Sequence, residues 1–150
     1  MHARVAPDEV ADLAALTAQA NAALMRGDAR TYVSLVRPAP DHLLMSPFGG
    51  APTRGFDRSS ERVERLGRFF EAGTTAPQEL VHAYATADMV VLAIIERQHV
   101  AVGGLPPQDW ALRVTLVFRR DGSEWRQVHR HADPLVAGIS LEQAAAIARS

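Results

Sequence analysis

From Pro7 onward, Val10, Leu13, Ala20 and Leu24, with Thr17 between them, recur at steps of three and four, the period of one helical face. Pro7 suits the first turn of this helix and Gly27 its end, while Asp8, Glu9 and Asp12 sit near the positive end of the dipole and Arg26 near the negative end. Asp28 is placed to cap a second helix carrying Tyr32, Leu35 and Val36, which Pro38 stops. Pro38-Ala39-Pro40 then breaks the pattern, and His42-Leu43-Leu44-Met45-Ser46 reads as a short strand before the turn Pro47-Phe48-Gly49-Gly50. A third helix, capped by Asp57, Ser59 or Ser60, buries Val63, Leu66, Phe69 and Phe70 and ends at Gly73. Its other face carries Glu61–Arg65 and Glu64–Arg68 at the favourable spacing of four and reads as solvated.

Beyond Gln78 the pattern turns to β, with strands expected over 80–85, 89–102, 110–120 and 125–132. Asp121-Gly122 marks a hairpin between the last two, and the short links favour an antiparallel meander. Ser140-Leu141-Glu142-Gln143 is a capping box opening a brief helix to Arg149. Helices gathered before strands predict an α+β fold in which the helices cover one sheet face, and a length of 150 residues predicts one domain over 1–150.

Composition narrows the chemistry. The chain has no Cys, so disulfides, thiolate nucleophiles and Cys-ligated metals are excluded, and all 16 cations are Arg, so Schiff-base lysine chemistry is excluded too. A net charge of −1 with interspersed signs offers no footprint for nucleic acid. The longest apolar run, Met89 to Ile95, is far shorter than the roughly 20 residues that span a bilayer. The start, Met1 to Pro7, lacks a signal-peptide stretch. A soluble cytoplasmic protein with no nucleic-acid or membrane partner is the expectation.

No Gly-x-Ser-x-Gly elbow and no phosphate-binding Gly loop is present, and none of the six His has the helical spacing of a metal pair, so no metal and no cofactor are expected. The chemistry left over lies in polar residues set into apolar strands: Glu96, Arg97 and His99 in one, Arg113 and Thr115 in the next, His129, Arg130 and His131 in the last. Ionised groups on a buried sheet face must be paired or face a wet cavity. Register decides which face they take. If Asp121-Gly122 is a two-residue turn, Phe118 opposes Trp125 and both His share the Leu112–Val114 face; a bulge at Ser123-Glu124 puts them with Arg113 and Thr115 instead.

The tail from Leu112 through Arg119-Arg120-Asp121-Gly122 to Val128-His129-Arg130-His131-Ala132-Asp133-Pro134 resembles the closing hairpin of the nuclear-transport-factor-2-like superfamily, specifically its SnoaL-like and ketosteroid-isomerase-like bacterial members. Ser46-Pro47-Phe48-Gly49-Gly50 with Arg54-Gly55-Phe56-Asp57, and Gly27-Asp28, resemble that family's turns before its third and second helices. The resemblance implies a cone of three helices packed on a strongly curved, mainly antiparallel sheet, with a short C-terminal helix, an internal cavity and dimerisation through the outer sheet face. The general-base Asp of the ketosteroid isomerases is Ser46 here and their oxyanion-holding Tyr is Ala20, which disfavours their proton shuttle. The association domain of the calcium/calmodulin-dependent protein kinase, a scaffold, resembles the same hairpin.

The leading expectation is therefore a small-molecule-binding cone, with cofactor-independent acid–base catalysis of an isomerase, cyclase or dehydratase type on a carbonyl-bearing or hydrophobic metabolite. His131 or His129 would transfer the proton and Arg113, with Thr115, would hold negative charge; Tyr32, Met45, Phe48 and Phe70 would form the apolar wall. The alternative is a non-catalytic homodimeric binding or interaction module.

Overall fold

A computed structural model describes residues 7–149. The Met1–Ala6 segment, read above for its lack of a signal stretch, lies outside the described residues. The helices are α1 (Pro7–Met25), α2 (Ala29–Val36), α3 (Ser60–Phe69) and α4 (Leu141–Ala148); the strands are β1 (Pro38–Met45), β2 (Thr53–Arg54), β3 (Phe70–Thr75), β4 (Glu79–Ala85), β5 (Met89–Val102), β6 (Gln108–Asp121) and β7 (Glu124–Pro134). They form the expected α+β arrangement: one mixed, curved sheet ordered β2-β1-β7-β6-β5-β3, with β4 also paired to β5.

Local chemistry explains the helix ends. Gly27 (φ 86°) closes α1 with its N–H donating to Leu24 O and the N–H of Asp28 to Ala23 O, a pairing that needs a left-handed residue. Asp28 then caps α2 by accepting from Thr31 N, and Ser59 and Ser140 cap α3 and α4, the latter with the full capping box.

Three expectations change. β1 begins at Pro38, within the stretch read as a breaker; its pairing with β7 is irregular between Pro38 and Leu43, so Pro40 falls where the ladder needs no donor. The third helix stops at Phe69, and the residues meant to finish it become β3. Gly73 is there because a Cβ would stand 2.6 Å from Met25 O, so only glycine lets β3 pass beneath α1. In the last hairpin Asp121 pairs with Glu124, which makes Gly122-Ser123 the turn, and Phe118 opposes Gln127 rather than Trp125. The parity change occurs further along, where Val128 is an extra residue between Gln127 and His129.

The inner sheet face is read from alternate residues: Val90, Leu92, Ile94, Val100 and Val102 of β5 and Leu112, Val114, Leu116 and Phe118 of β6 are all buried. One part of the core joins these to Leu13; another joins Val100 and Val102 to Leu24, Ala29, Tyr32, Val36 and Val63 of the helices. Between the two, the sheet curves away from α3. α4 buries no residue.

Candidate functional site

The space under that curve is a cavity of about 610 Å³. Its floor is Glu96 of β5, Trp110 and Leu112 of β6 and Arg130 of β7; Leu24, Met25 and Tyr32 close one side, and Phe48, Leu66, Phe69 and Phe70 the other. Phe69 packs edge-on to both Phe48 and Phe70, with ring centroids 5.8 and 5.0 Å away. The wall is thus largely aromatic, as small-molecule sites commonly are.

Two charges are built into this apolar floor. Glu96 lies in phase with Leu92, Ile94 and Val100, so strand alternation turns it inward; its side chain is 2% exposed. Arg130 reaches it from β7 with a two-pronged contact, Nη1 donating to Oε2 at 3.1 Å and Nη2 to Oε1 at 2.9 Å. Burial opposes the charge of Arg130, but the Glu96 carboxylate, aided by the Tyr32 phenol, outweighs it and keeps the guanidinium strongly protonated. Desolvation raises the pKa of Tyr32 above its ordinary value; Arg130 lowers it and Glu96 raises it further. The phenol is therefore neutral at physiological pH. Tyr32 is 9% exposed, and among the described residues its hydroxyl makes no hydrogen bond. Tyr32 lines the cavity, so its hydroxyl is left as an open hydrogen-bonding group there.

His42, on the cavity side of β1, is the third polar group. Its Nε2 lies 3.0 Å from Gln127 Oε1, its ring meets Phe56 edge-on, and its buried Nδ1 has no partner. Burial depresses its pKa, only partly offset by the hydrogen bond to Gln127, so the ring is neutral. With Nε2 donating to Gln127, Nδ1 carries a free lone pair.

The structure separates the sequence candidates into two groups. Tyr32, Phe48 and Phe70 line the cavity. Arg113, Thr115, His129, His131 and Met45 do not: Thr115 pairs with His131 and Val117 with His129 across β6 and β7, and Met45 with His131 across β1 and β7, all on the face opposite the core. Arg113 and Asp133 form a two-pronged ion pair at 2.8 and 2.9 Å on that outer face, and His129 Nδ1 hydrogen-bonds Leu43 O at 2.8 Å. Arg113 and His131 therefore do not converge on the cavity, because the Val128 bulge sets Arg130, not its neighbours, inward. Among the described residues no cluster of three or more His, Asp or Glu is arranged to hold a metal ion, and no helix is long and apolar enough to cross a membrane.

The sequence model of the SnoaL-like domain matches residues 13–137, most of the chain, from within α1 to the end of β7. The chain belongs to the SnoaL-like domain family. Among curated proteins none matches this SnoaL-like chain in sequence. Solved structures share its fold at low identity. A candidate dehydratase of the nuclear-transport-factor-2-like family from Streptomyces avermitilis is 22% identical, covers 87% of this chain and 100% of its own, and superposes with a TM-score of 0.66. A nuclear-transport-factor-2-like protein from Salmonella enterica is 18% identical over 91% of this chain and 99% of its own, at 0.65. The calcium/calmodulin-dependent kinase II hub homology domain of Chlamydomonas reinhardtii is 16% identical over 85% and 99%, at 0.62.

Proposed function

We propose that this SnoaL-like domain binds a small, largely apolar molecule in the cavity, with a carbonyl or other oxygen of that molecule accepting a hydrogen bond from Tyr32. The observation that carries the reading is the unpartnered hydroxyl of Tyr32, a largely buried residue that lines the cavity beside the Glu96–Arg130 pair. A neutral phenol donates, and near a fixed cation its donation strengthens as negative charge develops on the accepting oxygen. Acid–base chemistry of the isomerase, cyclase or dehydratase kind needs that donor and a base; His42, neutral with an open Nδ1, is the group in the wall suited to accept a proton. Ser46 lines the same wall where the ketosteroid isomerases carry their base, and a hydroxyl does not serve as one near neutral pH.

In this reading the outward set has another task. Arg113, Thr115, His129 and His131 lie beside half-buried Val91, Ile95 and Val117, a mixed surface suited to a second copy of the chain, so the domain acts as a homodimer joined through the sheet.

The test is thermal shift with a panel of neutral ketones, 2-acetylnaphthalene and camphor among them. Saturable stabilisation that weakens in Tyr32→Phe is expected; a panel that leaves the wild type unmoved, or moves both proteins equally, overturns the reading.

A further inference from the structure

The floor of the cavity is electrically balanced, since Glu96 and Arg130 satisfy each other through both oxygens. The mouth is not. It is framed by β2 and the first turns of α3, and its charged residues are Arg54, Arg62 and Arg65 against Asp57 and Glu61. Three arginines facing two carboxylates leave one positive charge in excess. The partners are also unequally shared. Arg65 Nη2 donates to Glu61 at 3.1 Å, and the Asp57 carboxylate accepts from Ser59 N at 2.9 Å, the hydrogen bond that chiefly lowers its pKa, with weaker attraction from Arg62 and Arg65. The guanidinium groups of Arg54 and Arg62 make no hydrogen bond or ion pair within the chain among the described residues. They stand where the aromatic wall gives way to water, and the positive end of the α3 dipole opens on the same rim.

We infer that the ligand is an amphipathic monoanion, its apolar body inside the cavity and a single carboxylate held at the mouth by Arg54 and Arg62. This rests on the cavity being a ligand site and adds the class of ligand. A planar guanidinium grips a carboxylate through paired N–H donors, and Arg54 and Arg62 both retain theirs. A cationic ligand would meet the excess positive charge at the rim, and a neutral one would leave both arginines unused.

The inference is tested by calorimetric titration of the wild type and the Arg54→Gln/Arg62→Gln double variant with decanoate, decanol and decylammonium below their micelle concentrations. Both arginines are exposed and unpaired, so the double variant keeps its fold, as circular dichroism will verify. The wild type is expected to prefer decanoate over decanol by about tenfold or more and to take decylammonium most weakly; the double variant loses the preference and keeps decanol affinity. Equal affinity for decanoate and decanol in the wild type overturns the inference while leaving the cavity as a ligand site. A preference that survives in the double variant overturns it too, placing the carboxylate elsewhere. Failure of all three to bind overturns the inference, while the cavity reading is decided separately by the ketone panel.

Discussion

Glu96, Arg130 and Tyr32 have different energetic roles although they adjoin. Removing one member of a buried ion pair strands the other, so Glu96→Ala is expected to cost about 3–5 kcal/mol in urea denaturation, whereas the double change Glu96→Leu with Arg130→Met is expected to be near neutral or stabilising. Tyr32→Phe breaks no bond within the chain, so its stability stays within about 0.5 kcal/mol of the wild type, and the loss appears as roughly tenfold weaker ligand binding. His42 gives the fold a pH dependence. Its folded-state pKa lies below the ordinary value of 6.5, so the unfolded chain binds the proton more readily. Its contribution is fully present above 6.5 and is lost as pH falls through the lower folded value; His42→Gln should flatten that part of the stability profile, and an unchanged profile would contradict the assignment.

Elements were legible to the extent that one residue period governed them. Strict alternation in β5 and β6 and the capping chemistry of Asp28, Ser59 and Ser140 sufficed for the sheet's centre and the helices. Glu96 follows the same alternation as Leu92 and Ile94 and so turns inward, while its polar neighbours Arg97 and His99 are exposed and mask that signal. Arg130 was not legible, because its direction depends on the bulge at Val128, and Val128 is an ordinary strand residue with no turn chemistry to mark it. Deleting Val128 leaves Gln127, His129 and Arg130 as consecutive residues opposite Phe118, Val117 and Leu116, so Arg130 is expected to stay inward and its pair with Glu96 to persist; a urea midpoint lowered as far as Glu96→Ala lowers it would contradict that register. β3 was missed because Gly73 reads as a helix stop, when its smallness serves the passage beneath α1. Gly73→Ala is expected to cost about 1–3 kcal/mol, from overlap with Met25 O and Val100 Cγ2.

At the scale of the molecule, the sheet has an inner face that floors a cavity and an outer face that carries Arg113, Thr115, His129 and His131, the face proposed above to meet a second copy. The fold and the family were legible because motifs along most of the chain occur in the family's order, whereas the site was not, since its floor is assembled from three strands whose relative register no single motif encodes. An outer-face change such as Val117→Arg should shift the sedimentation of the protein from dimer to monomer while ketone binding persists; an unaltered dimer would place the contact elsewhere. The division itself is tested most directly by thermal shift of the wild type, Tyr32→Phe and His131→Ala with the same ketone panel. Ligand stabilisation retained in His131→Ala and diminished in Tyr32→Phe is the predicted result; stabilisation lost in His131→Ala and retained in Tyr32→Phe would put the site on the outer face and contradict the account.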